Sequence, residues 1–151
     1  MITVVPGDPR DPAATRLLNA SHALMQSLYP AEDNHYLEID QLCIPSIRFF
    51  VATRDGETIG CAALALKDGY GEIKSMFVAP QARGSGAADA LIRKLEAEAR
   101  ADGLTVLKLE TGNTLHAAHR VYARHGFTPC GRFGDYPPDA GSSIFLEKPL
   151  A

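Results

Sequence analysis

Tryptophan is absent from this 151-residue chain, and cysteine is scarce, limited to Cys43, Cys61 and Cys130. Their odd number and wide spacing give neither a disulfide framework nor a metal-ligand cluster, so buried free thiols in a reducing compartment are expected. Long apolar runs are missing too. The most apolar stretch, Ile59 to Leu66, falls far short of the ~20 residues that a membrane span needs. The start, Met1 to Gly7, lacks the basic and apolar segments of a secretory signal. Positive charge is in deficit: 15 Lys and Arg stand against 18 Asp and Glu, net −3. That balance withholds support from a nucleic-acid partner. A cytoplasmic chain engaging neither membrane nor nucleic acid is the expectation.

What is present fits an ordered globular protein. Hydrophobic residues make up 46% and charged residues 22%, enough apolar surface to offset the ordering entropy that keeps poorer chains disordered. The length suits a single domain over residues 1–151. Charge is unevenly placed. Residues 1–82 are net −4, residues 83–132 net +3 and the remainder net −2. A positive segment in an acidic chain suits an anionic ligand, although chance alone can produce such a fluctuation.

Strand and helix patterns alternate without repeats. Ile2 to Val5 reads as a strand, and Asp11-Pro12 as a helix start with Asp as cap. Leu17, Leu18, His22, Met25 and Leu28 recur at helical spacing until Tyr29-Pro30. Glu38 to Ile44 fits a short helix. Asp55-Gly56 predicts a hairpin turn between strands Phe49–Thr53 and Thr58–Leu66. Glu72 to Val78 follows as a strand. From Gly86 the period changes to 3.6, with Ala88, Leu91, Ile92, Leu95 and Ala99 on one face and Arg93, Lys94, Glu96 and Arg100 elsewhere. Gly103 supplies the stop. Val106–Glu110 reads as a strand, Leu115–His125 as a helix, and Phe127–Arg132 and Ser143–Glu147 as strands. The predicted order is β-α-α-β-β-β-α-β-α-β-β, a mixed α/β (α+β) sheet flanked by helices with one βαβ crossover.

The most specific local feature is the turn Val78-Ala79-Pro80-Gln81-Ala82-Arg83-Gly84-Ser85-Gly86-Ala87-Ala88. Glycines without Cβ let backbone amides approach a ligand, and the helix that follows favours phosphate oxygens at its start. A tight turn that holds nothing is the alternative. Spacing excludes a Walker loop, since no Lys-Ser/Thr follows at the required distance. It also disfavours a dinucleotide fingerprint, which wants glycine where Asp89 stands.

These surroundings resemble the GNAT N-acetyltransferase superfamily over most of the chain. Gln81-x-x-Gly84-x-Gly86 matches its pyrophosphate signature, and Ala118-x-x-x-Tyr122-x-x-x-Gly126-Phe127 its later helix. Gly71-Glu72-Ile73-Lys74-Ser75-Met76, Leu109-Glu110-Thr111-Gly112, Arg124-His125-Gly126-Phe127 and Phe133-x-Asp135-Tyr136 are similar to a bacterial subgroup labelled indoleacetic-acid-acetyltransferase-like. The resemblance implies a single-domain GNAT-like fold and acetyl transfer from acetyl-CoA to a small-molecule acceptor amine, without metal. It leaves room for a homodimer. Backbone groups of Met76, Phe77 and Val78 would pair with pantetheine, and Arg83, Gly84, Ser85, Gly86, Ala87 and Ala88 would hold the pyrophosphate. One departure is Leu115, which stands where many members carry Asn.

Tyr122 would protonate the departing thiolate, since a phenol near its reference pKa of ~10 keeps its proton at neutral pH; a packing role in the core is the alternative. Period-2 alternation places Glu72, Lys74, Met76 and Val78 on one face, making Glu72 the general-base candidate. It could equally serve as a cross-strand partner of Lys74 or Lys108, and Glu110 is a second candidate. His22 and His35, near Met25, Tyr29 and Tyr36, are candidates for acceptor contact, as is Tyr136 in a late loop. Glu32, Asp33, Glu38, Asp40, Asp135 and Asp139 suggest an acidic mouth for a protonated amine, or merely a solvated surface. A coenzyme-A-binding module without turnover is the alternative function.

Overall fold

Asp11-Pro12 starts the first long helix where the sequence places it, and Tyr29 ends it by turning to extended backbone before Pro30. The computed structural model describes residues 1–139 and 141–150. Seven strands and four α-helices occur among them: β1 (Ile2–Pro6), α1 (Pro12–Leu28), α2 (Ile39–Leu42), β2 (Ile47–Arg54), β3 (Glu57–Leu66), β4 (Gly71–Val78), α3 (Ala87–Ala101), β5 (Val106–Gly112), α4 (His116–Arg124), β6 (Thr128–Pro129) and β7 (Ser143–Pro149). The order is the predicted one. Three local expectations need correction. The Asp11 side chain makes no capping bond. The helix expected over 38–44 shortens to four residues, started by a reciprocal cap between Glu38 and Gln41. The strand expected over 127–132 pairs only at Thr128 and Pro129, with one further backbone bond from Cys130 to Phe145.

The strands form one sheet in the order β1-β2-β3-β4-β5-β7-β6. Only β4 and β5 run parallel, because α3 carries the chain back between them. Leu91, Ile92, Leu95 and Ala99 of α3 are fully buried, and burial of each leucine or isoleucine stabilises the fold by about 1.5–3 kcal/mol. Glu96, expected on the polar face, is buried beside them. Its carboxylate accepts a hydrogen bond from Lys148 Nζ at 2.7 Å and lies 3.7 Å from Arg100, which compensates the buried charge.

One irregularity shapes everything that follows. Cys61 pairs with Phe77 and Ala63 with Lys74, so two residues of β4, Ser75 and Met76, stand opposite Ala62 alone. This is a β-bulge, and Ser75 adopts the left-handed conformation at φ 56°. An extra residue reverses the alternation of side chains beyond it. Glu72, Lys74 and Phe77 therefore share the face of Ala65, Ala63 and Cys61, whereas Ile73 and Val78 share the face of Leu64 and Gly60. The expectation that Glu72, Lys74, Met76 and Val78 lie on one face fails at the bulge. The parallel pairing of β4 with β5 also stops just before it, at Ile73 and Leu109. Beyond that point the two strands part.

Candidate active site

The parting of β4 and β5 leaves an opening with two chambers. The first, of about 410 Å³, lies between the start of α3 and the length of α4. Met76, Phe77 and Val78 supply its β4 wall, Ala88 and Ile92 its α3 wall, and Val121 its α4 wall. Arg83 stands at its edge, where its Nε donates to the Val78 carbonyl at 3.0 Å and its guanidinium sits 5.7 Å from the Phe77 ring centre. Phe77 itself turns toward α1, lining a separate groove with Ala13 and Leu17.

At the mouth of this chamber Gly84 and Gly86 take φ values of 79° and 92°, and a Cβ on either would meet nothing within 4 Å. Space therefore lies open above the turn. Gly86 is the N-cap of α3 and has no side chain to satisfy the first-turn amides. Ser85 Oγ reaches the Ala87 N–H at 3.4 Å, and Ala87 is buried beneath the turn. Asp89, the one acid of that first turn, accepts from His125 Nε2 at 2.7 Å and Arg124 Nη2 at 2.9 Å. Those bonds, His125 first, hold its pKa below the usual carboxylate value and offset its charge at the helix start.

The second chamber is smaller and more polar than the first, about 130 Å³, and lies between the end of α1, the following turn, strands β4 and β5 and α4. Asp33, His35, Tyr36, Lys74 and Glu110 line it. Six residues line both chambers: Ser21, Met25, Met76, Leu115, Ala118 and Tyr122. Tyr122 thus stands where the two meet. Burial raises its pKa, with the Glu110 charge adding to the effect, so the phenol keeps its proton at any ordinary pH. Leu115 occupies the N-cap of α4 and offers no polar group there, while Asn113 is exposed.

The expected site residues divide accordingly. His35 and Glu110 reach the polar chamber. Glu72, His22 and Tyr136 stand behind its lining. Glu72 is buried and accepts a 2.5 Å hydrogen bond from the Tyr136 hydroxyl, with Lys74 Nζ 3.6 Å away. Lys74 in turn donates to the Tyr136 oxygen at 2.8 Å and to the His35 carbonyl at 3.1 Å. His22 is buried with its ring stacked on Tyr36, centroids 4.0 Å apart, its Nε2 unpartnered and its pKa lowered by burial. Of the six acids suggested for a mouth, only Asp33 lines the chamber; Asp40 pairs with Arg10 outside it. Sequence reasoning missed Lys74 and Ser142 as chamber residues. Neither carries a local signal, because both arrive through tertiary packing.

Cys61 is buried, which pushes its thiol up to about 12, and its Sγ donates to the Ser75 carbonyl at the bulge. It is a packing thiol rather than a nucleophile. Among the described residues no three His, Cys, Asp or Glu side chains converge as metal ligands, and no helix is long and apolar enough to cross a membrane.

Comparison with known proteins gives concordant results. Residues 15–127 match the profile of the Acetyltransferase (GNAT) family. The chain is 43% identical over 151 residues to the IAA acetyltransferase of Azospirillum brasilense, covering 99% of this chain and 98% of that protein. It is 35% identical over 147 residues to YedL, an uncharacterized N-acetyltransferase of Escherichia coli (strain K12), covering 94% and 91%. A Klebsiella pneumoniae structure assigned as an acyl-CoA N-acyltransferase aligns with TM-score 0.83 at 33% identity, over 100% of this chain and 99% of that one. A GNAT family acetyltransferase of Elizabethkingia anophelis, solved with acetyl-CoA bound, shares the fold at TM-score 0.73 and 24% identity, over 99% and 98%.

Proposed function

The chain belongs to the acetyltransferase (GNAT) family and is an acyltransferase, and we propose that it transfers an acetyl group from acetyl-CoA directly to the amine of a small acceptor. The observation that carries this reading is the position of Tyr122 at the junction of a long, mostly apolar chamber and a short polar one. Direct transfer needs two ligands to meet at one protein group, and the junction supplies such a group.

The residues present suit coenzyme A. The open space over Gly84 and Gly86 and the uncapped start of α3 offer backbone amides to a pyrophosphate, with Ser85, Ala87 and Ala88 completing the turn and Arg83 adding positive charge. Met76, Phe77 and Val78 lie beyond the last β4–β5 pair, so their strand edge is free for an extended, amide-bearing chain such as pantetheine. When bound, acetyl-CoA supplies the acetyl group activated as a thioester.

Transfer requires that one proton leave the amine and one reach the sulfur. Tyr122 holds a proton for the second task. For the first, Glu110 lines the polar chamber and its Oε2 is oriented by the Ser143 hydroxyl at 2.6 Å. Glu72, engaged by Tyr136 and Lys74, holds the chamber wall instead. An acceptor screen with acetyl-CoA, reading free thiol, tests the reading. Thiol release with an amine, together with mass spectrometry showing an acetamide, is expected. Coenzyme binding without turnover on any acceptor would overturn it in favour of a binding module.

A further inference from the structure

We propose that the acceptor carries two positive groups, the amine that is acetylated near Glu110 and a second cation held by Asp33. This inference rests on the reading of the polar chamber as the acceptor site.

The charged side chains that line the chamber, among the described residues, are Asp33, Lys74 and Glu110. Lys74 would favour an anionic acceptor if it were free, but it is not. Its ammonium donates to Tyr136 and to the His35 carbonyl, sits 3.6 Å from Glu72, and leaves only 11% of its side chain exposed. Its charge is offset by a carboxylate outside the chamber, and two of its protons are taken by Tyr136 and His35. What a ligand meets is therefore two carboxylates, Asp33 and Glu110.

The two are held by neighbouring hydroxyls. Ser142 Oγ donates to Asp33 Oδ2 at 2.7 Å, and Ser143 Oγ donates to Glu110 Oε2 at 2.6 Å. Adjacent Cα atoms are about 3.8 Å apart, so both carboxylates are anchored from one point at the start of β7. Each has one oxygen occupied by a serine, and among the described residues the other has no hydrogen-bond partner, although Asp33 Oδ1 packs beside Gly141. Asp33 comes from the turn after α1 and Glu110 from β5, so an acceptor would meet the two carboxylates on different walls of the chamber. A short aliphatic diamine has this pattern. A monoamine satisfies only one carboxylate and leaves the other desolvated beside an apolar tail, which is unfavourable.

The test compares diaminobutane, butylamine, aminobutyrate and indole-3-acetate, by calorimetric binding to the protein without coenzyme and by thiol release with acetyl-CoA. Diaminobutane should bind at least about tenfold more tightly than butylamine, and Asp33→Asn should collapse that ratio toward one. Ser142→Ala, which frees Asp33 to move, should narrow the ratio part of the way. Equal binding of the two amines, an unchanged ratio in Asp33→Asn, or preference for aminobutyrate or indole-3-acetate would overturn the proposal. Binding is read without acetyl transfer. A diamine preference without turnover would therefore support this assignment while defeating the proposed reaction, and turnover without the preference would do the reverse.

Discussion

On the proposed reading, the two chambers would recognise their ligands by different means. The proposed coenzyme site joins an apolar chamber to a turn of small residues: Gly84, Ser85, Gly86, Ala87 and Ala88 are consecutive, and would offer amides and open space to the pyrophosphate. The proposed acceptor chamber relies on polar side chains delivered by four separate segments. Asp33, Lys74, Glu110 and Ser142 line it, and Tyr136 fixes Lys74 from behind. A backbone site is rigid because the helix and strand that frame it are rigid. A side-chain site is only as fixed as its hydrogen bonds, and here the bonds run through Tyr136, Ser142 and Ser143. Damage to the first should abolish binding outright, and damage to the second should alter rate or selectivity.

The sharpest break in that comparison is at the turn. Gly84→Glu and Gly86→Glu each place bulk and negative charge in the open space at a positive φ. Acetyl-CoA should then lose about a hundredfold or more in affinity, and its stabilisation of the melting temperature should disappear. Circular dichroism should show a folded chain with a somewhat lower melting temperature, because a side chain is strained at these positive φ values although neither Cβ meets a neighbour. Tyr122→Phe comes next. It keeps the ring against Phe127 and removes the hydroxyl, so kcat should fall about a hundredfold with little change in coenzyme affinity. In the parent protein, kcat should not decline through Tyr122 up to pH 10, because burial raises its pKa above the usual value.

Glu110 and Glu72 separate the two kinds of damage within one chamber. Glu110→Gln should lower kcat about tenfold or more and leave the melting temperature nearly unchanged. Glu72→Gln should do the opposite. It leaves the Lys74 ammonium without its carboxylate in a buried place, costing about 1–3 kcal/mol of stability, read as a drop in melting temperature. Equal losses of rate in the two variants would erase the distinction. The smallest effect concerns the coenzyme side. Asp89 has a folded pKa below its unfolded one, so its stabilising contribution is present above the unfolded value of 3.8 and lost as pH falls below it. Asp89→Asn should remove that acid-side dependence, measurable by thermal melts between pH 5 and pH 2.5.

The same contrast explains what could be read in the amino-acid order. The turn at 78–88 is contiguous, and each residue's reason is local: left-handed glycines, a proline, an apolar period of 3.6. The hairpin at Asp55-Gly56, with φ of 51° and 78°, is local in the same way. The acceptor chamber was legible only in fragments. His35 and Glu110 line the chamber, whereas Glu72 stands behind the lining, engaged by Tyr136 from 64 residues away. Lys74 was passed over because its partners lie 39 and 62 residues off. His22 belongs to the buried face of α1, with Ala14, Leu17 and Leu18, and does not line the chamber. The bulge escaped notice for a different reason. The polar and apolar residues of Gly71 to Val78 lose their alternation at Lys74-Ser75, but a broken pattern does not itself place an extra residue, which shows only against the register of β3.

That extra residue bears on how the gene can change. Ser75 and Met76 occupy the space of one residue, so loss of a single codon there would restore an even ladder between β3 and β4. The beyond-73 portion of β4 could then close on β5, gaining backbone hydrogen bonds where the strands now part. Pairing there would narrow the opening in which the two proposed ligands would meet. Kept as it is, the extra residue leaves β4 unpaired on its β5 side beyond Ile73, along the edge that the proposed coenzyme site uses.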